Sequence, residues 1–314
     1  MKILVTGGTG FLGKHVIPKL KASQHEVWAP SSRELDMLDF AKFEDNVQRY
    51  NPDVILHMAA KCAGILGNRI NPADFLRDNT QMGLNVYEAA RIHGIKKVYS
   101  LGSVCAYPKF CPPPFKEDDI WNGPAEETNF PYGQAKRTLM MLGQTYRQQY
   151  GLQGAHLIPV NMYGEYDSFD LTYSHVIPAL IRKFEEAIRS HNPIVKCWGT
   201  GEATREFLYA GDASEAICKA IDEGLDTNLP INLGVGSDIS IKDLAHLIAD
   251  LTGFQGQPVF NGEVSDGQPK RMLDVSRAKE MLGWVAKTDF KTGLMNTIQW
   301  YRENRQQIIG ADAF

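Results

Sequence analysis

The first third of the chain alternates short apolar, β-branched runs with longer stretches whose apolar positions recur every three or four residues. "KILVTG", "HEVWAP", "DVILHMAA" and "KKVYSLGS" read as strands; the stretch from about Gly10, "FAKFEDNVQRY" and "NTQMGLNVYEAARIHG" read as the helices between them. Strands and helices in strict alternation build right-handed βαβ units, and these close into a parallel sheet covered on both faces. The expected fold is therefore α/β, a doubly wound parallel Rossmann-type sheet.

The stretch that follows, "YPKFCPPPFKEDDIWNGP", is dense in proline and turn formers and reads as a loop. Loops of that length inside compact domains are usually functional. A helix around "YGQAKRTLMMLGQTYRQQYG" and a strand "GAHLIPVNMYG" come next, after which the alternation loosens. "SHVIPALIRKFEEAIRS", "ISIKDLAHLIADLTG" and "DVSRAKEMLG" suggest a smaller, mostly helical C-terminal substrate domain. The boundary falls near residue 165, and "REFLYAGDASEAICKAI", near 205–225, is expected to return to the first domain.

Composition narrows the classes. A chain of 314 residues with 43% hydrophobic and 22% charged positions is globular, and a net charge of −4 gives no basic field for nucleic acid or an anionic membrane. No apolar run approaches the ~20 residues needed to span a bilayer. "MKILVTGG" is a strand-like start and not a signal peptide, so a cytoplasmic protein is expected. The five cysteines, Cys62, Cys105, Cys111, Cys197 and Cys218, include no CxxC and no metal-ligand spacing, which fits free thiols in a reducing compartment and no metal site.

"VTGGTGFLG" sets Gly7, Gly10 and Gly13 between the first strand and the first helix. Glycines there allow a tight turn and close backbone approach, while the helix start offers unpaired amides to a pyrophosphate. This makes 1–165 the dinucleotide-binding domain and 166–314 mainly the substrate-binding one. The second strand ends in "APSSRELD", with Ser31, Ser32 and Arg33 where an NAD site usually carries an acid. That chemistry suits a 2′-phosphate, hence NADP over NAD.

"PYGQAK" places Tyr132 and Lys136 four apart, on one helix face. An ammonium beside a phenol favours the phenolate and is expected to lower the tyrosine pKa. With the glycine loop upstream and Ser103 at a strand end, this Ser, Tyr and Lys order resembles the short-chain dehydrogenase/reductase superfamily in its extended form. The resemblance implies that Ser103 binds a carbonyl, Tyr132 transfers a proton, and Lys136 also holds the nicotinamide ribose. Further cofactor contacts follow at Thr9, Phe11, Leu12, Asp36 and Ala59.

A hydride transfer needs one proton donor, so Cys105 in "LGSVCAYPK" is either a small buried hydrophobe or an acid/base group for carbon next to a ketone. The second role needs a partner on the opposite ring face, and His175, opening "SHVIPALIRKFEEA", is the candidate. Together with "NFPYGQAK", "VNMYGEYDSFD", "WGTGEATREFLY" and "DGQPKRMLDVSRAKEMLGW", these strings resemble the GDP-L-fucose synthase family, the GDP-4-keto-6-deoxy-D-mannose 3,5-epimerase/4-reductases. The resemblance implies that Cys105 abstracts and His175 donates in epimerisation at C3 and C5, before Ser103, Tyr132 and Lys136 carry out the NADPH reduction at C4. It also implies a GDP-sugar pocket at Asn161, His175, Val176, Leu180, Trp198, Arg205 and Arg271, with Lys270 an alternative to Arg271, and a homodimer formed by the helices at "NTQMGLNVYEAARIHG" and "YGQAKRTLMMLGQTYRQQYG".

Three departures mark this chain: Val104 where the family often has a second serine, Glu165 where proline is usual, and Thr9 where the glycine loop frequently carries arginine. They leave open a related GDP-4-keto sugar of the colitose or heptose type, or an enzyme doing one half of the chemistry. A 4,6-dehydratase would want an acidic pair at Val104 and Cys105. A non-enzymatic, dinucleotide-sensing regulator would keep the glycine loop but has no need of Tyr132 and Lys136.

Overall fold

The computed structural model describes residues 1–62, 64–262 and 267–311. The alternation predicted from the pattern is present: β1 (Lys2–Thr6), α1 (Phe11–Ala22), β2 (Glu26–Trp28), α2 (Phe40–Tyr50), β3 (Val54–His57), α3 (Ile65–Ile70), α4 (Pro72–Ile92) and β4 (Lys97–Leu101). The proline-rich stretch carries only short 3-10 turns before α5 (Phe130–Tyr150), β5 (His156–Pro159) and β6 (Asn161–Tyr163). Then come α6 (Val176–Arg189), β7 (Ile194–Cys197), β8 (Thr204–Arg205), β9 (Phe207–Tyr209), α7 (Ala210–Asp222) and β10 (Ile231–Leu233). The chain continues through β11 (Ile239–Ser240), α8 (Ile241–Thr252), β12 (Gln257–Phe260), β13 (Lys270–Arg271), α9 (Ser276–Leu282) and α10 (Phe290–Ala311).

Local chemistry sets several of these bounds. The Asp39 side chain accepts from the Lys42 amide at 3.2 Å to start α2, and Asn51, at φ 48, closes it. Helix α4 begins at Pro72, two turns before its apolar periodicity becomes legible, because proline in the first turn gives up an amide that has no helical partner there.

Six strands form one parallel sheet in the order β10-β5-β4-β3-β1-β2. From β1 the chain steps outward to β2 and then returns to β3 on the other side of β1. That reversal is a topological switch point, and the crevice beyond the strand ends there is where such sheets bind ligands. Alternation along the strands splits the packing: Ile3, Val5, Val54 and Leu56 join one core with Val16 and Ile217, while Leu4 and Ile55 join the other with Phe43, Val86 and Leu139. Helices α1 and α7 therefore cover one face, and α2, α4 and α5 the other.

The C-terminal part buries a separate core of Tyr163, Phe169, Ile181, Phe184, Leu244, Ile248 and Tyr301. It is less purely helical than its sequence suggests. Among the described residues it holds three small sheets, β6 with β9, β7 with β12, and β8 between β11 and β13. The return to the main sheet also runs on past residue 225 to β10, which pairs with β5. Glu206, fully buried between β8 and β9, accepts from the amides of Leu273 (2.6 Å), Gly236 (2.7 Å) and Val235, so one carboxylate ties three separate segments together. No helix among the described residues is long and apolar enough to cross a membrane.

Candidate active site

A cleft of about 1050 Å³ runs from the ends of β1 and β3 to the start of α6. At its sheet end Gly7 has φ +73, and a Cβ there would stand 2.7 Å from the Ala59 amide nitrogen. Only glycine permits both the turn and the approach to β3. Gly10 precedes α1 in extended geometry, and no side chain caps the helix, so its first amides remain available beside the cleft. This cradle at the switch point fits a dinucleotide pyrophosphate. Thr9, Phe11, Leu12, Ser32, Asp36 and Ala59 line the same end. Gly13 does not; a Cβ there would meet Gly8 O at 2.2 Å, so it serves the packing of α1 on the loop. Arg33, expected at the ribose, is exposed and outside the lining, whereas Lys14 on α1 lines the cleft with its ammonium 5.2 Å from the Tyr166 ring centroid.

Ser103 follows β4 and accepts from the Cys105 amide at 3.2 Å, which turns the chain so that Ser103, Val104 and Cys105 all reach the cleft. Tyr132 and Lys136 come from the first turns of α5. Lys136 Nζ donates to Leu101 O at 2.8 Å and sits 5.7 Å from the Tyr132 ring centroid, while Ser103 hydrogen-bonds the phenol. Burial, reinforced by Cys62 and Cys105, pushes the Tyr132 pKa well above its ordinary value. This corrects the expectation that the lysine lowers it: desolvation outweighs the neighbouring cation, and the phenol keeps its proton as a donor. Burial also lowers Lys136 to about 8, with Cys62 and Cys105 holding it up. Beneath Lys136 lie two fully enclosed imidazoles, His57 bonded to Thr6 Oγ1 and His156 to Ser100 Oγ, each at 2.8 Å. Burial, then the nearby Lys136 charge, drives both to about 3.

The two thiols in the cleft have different partners. Arg271, itself 6% exposed, donates from Nη1 to Cys105 Sγ at 3.7 Å and is held by Gln268 Oε1 at 3.0 Å. His175 stands as the N-cap of α6, and its Nε2 is 3.9 Å from Cys62 Sγ. Asp167 lies close enough for His175 to favour its charged form, yet burial raises it to about 6.

Asn161, Val176, Leu180, Trp198 and Arg205 line the far end. Lys270 does not, because it pairs with Asp238 at 3.0 Å on the other side of β13; neighbouring strand residues face opposite ways, so Arg271 alone turns inward. Lys183, missed in the sequence reading, brings its ammonium 5.2 Å from the Trp198 ring centroid and lines the cleft. Its signal was the helical spacing from His175, two turns earlier. Cys62 and Asp167 carried no comparable signal. No cluster of three or more metal-ligating side chains occurs among the described residues.

Residues 3–234 match the NAD dependent epimerase/dehydratase family. The chain is 37% identical over 302 residues to the GDP-L-colitose synthase of Yersinia pseudotuberculosis, covering 96% of this chain and 98% of that one. It is 38% identical over 303 residues to a GDP-L-fucose synthase of Sinorhizobium fredii, covering 96% of each. A GDP-L-fucose synthetase from Naegleria fowleri, solved bound to NADP, superposes with a TM-score of 0.86 at 29% identity, covering 97% of this chain and 95% of that one. With the glycine cradle and the Ser103, Tyr132 and Lys136 set in one cleft, the chain belongs to the NAD dependent epimerase/dehydratase family of nicotinamide-dependent enzymes, among the relatives of GDP-L-fucose synthase.

Proposed function

We propose that this protein is a bifunctional, NADP-dependent epimerase/reductase that converts GDP-4-keto-6-deoxy-D-mannose to GDP-L-fucose. The observation that carries the proposal is the convergence of Ser103, Cys105, Tyr132, Lys136 and His175 on a single cleft. Residues 1–165 and the returning segment hold the cofactor, with the α1 amides at the pyrophosphate and Lys136 at the nicotinamide ribose. Residues 166–314 mainly hold the GDP-sugar, where Arg205 and Lys183 meet its phosphates and Trp198 walls in the nucleotide.

Ser103 and the protonated Tyr132 hydrogen-bond the C4 carbonyl oxygen, which acidifies the hydrogens at C3 and C5. Cys105, positioned by Arg271, accepts the proton as its thiolate and becomes a thiol, and His175 returns one from the other wall of the cleft. Bound NADPH would supply the hydride at C4. Tyr132 then gives its proton to the C4 oxygen, and the Lys136 charge compensates the phenolate that forms. The test is incubation with GDP-4-keto-6-deoxy-D-mannose and NADPH in D2O: GDP-L-fucose labelled at C3 and C5, with label lost in Cys105→Ser, is expected. An unlabelled product reduced only at C4 would refute the epimerase half.

A second reading has its own observation. Val104, 3% exposed, lines the cleft with an apolar side chain, which suits a GDP-4-keto sugar lacking a hydroxyl, and the Yersinia relative is named a colitose synthase. Competing the two sugars for turnover decides between them. We also propose a cytoplasmic homodimer through the outer faces of α4 and α5, where Leu84 and Met141 are exposed; sedimentation at micromolar concentration checks the assembly.

A further inference from the structure

Two epimerisations in one binding event impose a demand that Cys105 and His175 cannot meet unaided. After the first inversion His175 has given up its proton, and it must regain one before it can act at the second carbon. A thiol stands within hydrogen-bond reach of its Nε2, and it is not Cys105. Cys62 Sγ lies 3.9 Å from that nitrogen, on the segment that leaves β3. The placement is fixed by backbone contacts on both sides: Gly64 N donates to Tyr173 O at 3.0 Å, and Gly64 approaches Ser174 so closely that a Cβ would stand 2.8 Å from its carbonyl oxygen. The strand end and the loop before α6 are thereby laced together, with Cys62 and His175 facing across the join. Tyr132 also hydrogen-bonds Cys62 from α5, and Cys62 itself lines the cleft. Cys105 is engaged elsewhere, by Arg271.

We propose that Cys62 is a third proton-transfer group of the site, reloading His175 between the two epimerisations. This rests on the function proposed above. Once His175 has delivered its Nε2 proton to carbon, the neutral ring accepts the proton of the Cys62 S–H, leaving a thiolate. The thiolate takes a proton from cleft water, and the hydroxide left behind removes the proton that Cys105 abstracted, so all three side chains end as they began and the new hydrogen on the substrate comes from solvent. Burial raises the Cys62 pKa and Tyr132 draws it back, with Lys136 lowering and Asp167 raising it from the surrounding walls; a thiol that keeps its proton until a base appears is the form a reloading donor needs.

Two measurements test this. Alkylation of Cys62 by iodoacetamide, followed peptide by peptide against pH and without substrate, reads the pairing alone. In His175→Asn the rate at neutral pH is expected to fall about tenfold, because the Cys62 thiol loses the ring nitrogen 3.9 Å away that can take its proton; an unchanged profile would overturn the pairing. Deuterium uptake into GDP-4-keto-6-deoxy-D-mannose in D2O, without NADPH, reads the role. In Cys62→Ala uptake at the second carbon is expected to fall about 100-fold relative to the first, and added imidazole should restore it. An equal fall at both carbons with no rescue would make Cys62 a packing residue and end the proposal. Failure of the unsubstituted enzyme to exchange either hydrogen would instead overturn the proposed function, and the alkylation profile would still decide the pairing.

Discussion

The two ends of the cleft are made of different material. The dinucleotide end is largely main chain: a positive-φ glycine, an uncapped helix start and a strand terminus, all delivered by regular βαβ geometry. The sugar end is side chains, drawn from helix α6, loops and very short strands between residues 161 and 271. A backbone cradle recognises a pyrophosphate that many enzymes share, whereas a side-chain wall can be changed one residue at a time to select a sugar. The contrast teaches that cofactor class and substrate identity are encoded at different depths of this chain.

Substitutions can pull the two ends apart. The largest expected effect is that of Tyr132→Phe, which should lower C4 reduction by about 100-fold or more while dinucleotide binding, read by fluorescence, persists. Gly7→Ala should do the reverse. It drives a Cβ to 2.7 Å from Ala59 N at φ +73, so dinucleotide affinity is expected to fall by about tenfold or more while C–H exchange without cofactor continues. If both activities fell together, the two ends would not be separable.

Smaller effects sharpen the boundary between them. Lys136 titrates near 8 in the folded protein against 10.5 when free, so kcat/KM for reduction should decline as pH rises through about 8. Over the window from about 8 to 10.5 the unfolded chain binds the extra Lys136 proton, so the Lys136 contribution to stability rises even as reduction is lost. The Tm difference between the protein and Lys136→Met, followed against pH beside the steady-state rates, isolates that contribution. The least effect is expected from Asp167→Asn. Its carboxyl is raised from 3.8 to about 6, so the folded protein carries a burial penalty above pH 6 that fades as pH falls to 4. Tm should therefore rise by about 2 °C at pH 7.5 and not at pH 4; a gain that ignored pH would point to packing.

The sequence made the dinucleotide end legible because its signals are local. Gly7, Gly10 and Gly13 fall within seven residues, and Tyr132 and Lys136 within one helical turn. The sugar end depends on contacts that only the fold creates. Cys62 meets His175 across 113 residues, and no periodicity records that. The choice between Lys270 and Arg271 turned on which way a two-residue strand faces, which neighbouring sequence does not determine. Arg33 has the right charge at the right distance from β2, but its exposed position in the turn, outside the cleft lining, is set by the fold and not by that spacing. The tyrosine pKa misled for another reason: spacing revealed the lysine but not the burial that overrides it.

The imidazoles beneath Lys136 carry a consequence for how this enzyme fails. His57 and His156 each bind a proton near pH 6.5 when unfolded but resist it until about 3 when enclosed. Between those values the opened chain holds more protons than the closed one, so mild acid favours opening at the ends of β3 and β5. Acid inactivation should thus begin as a local melting beneath Lys136, visible in the amide exchange of β3, β4 and β5, with the C-terminal core still intact.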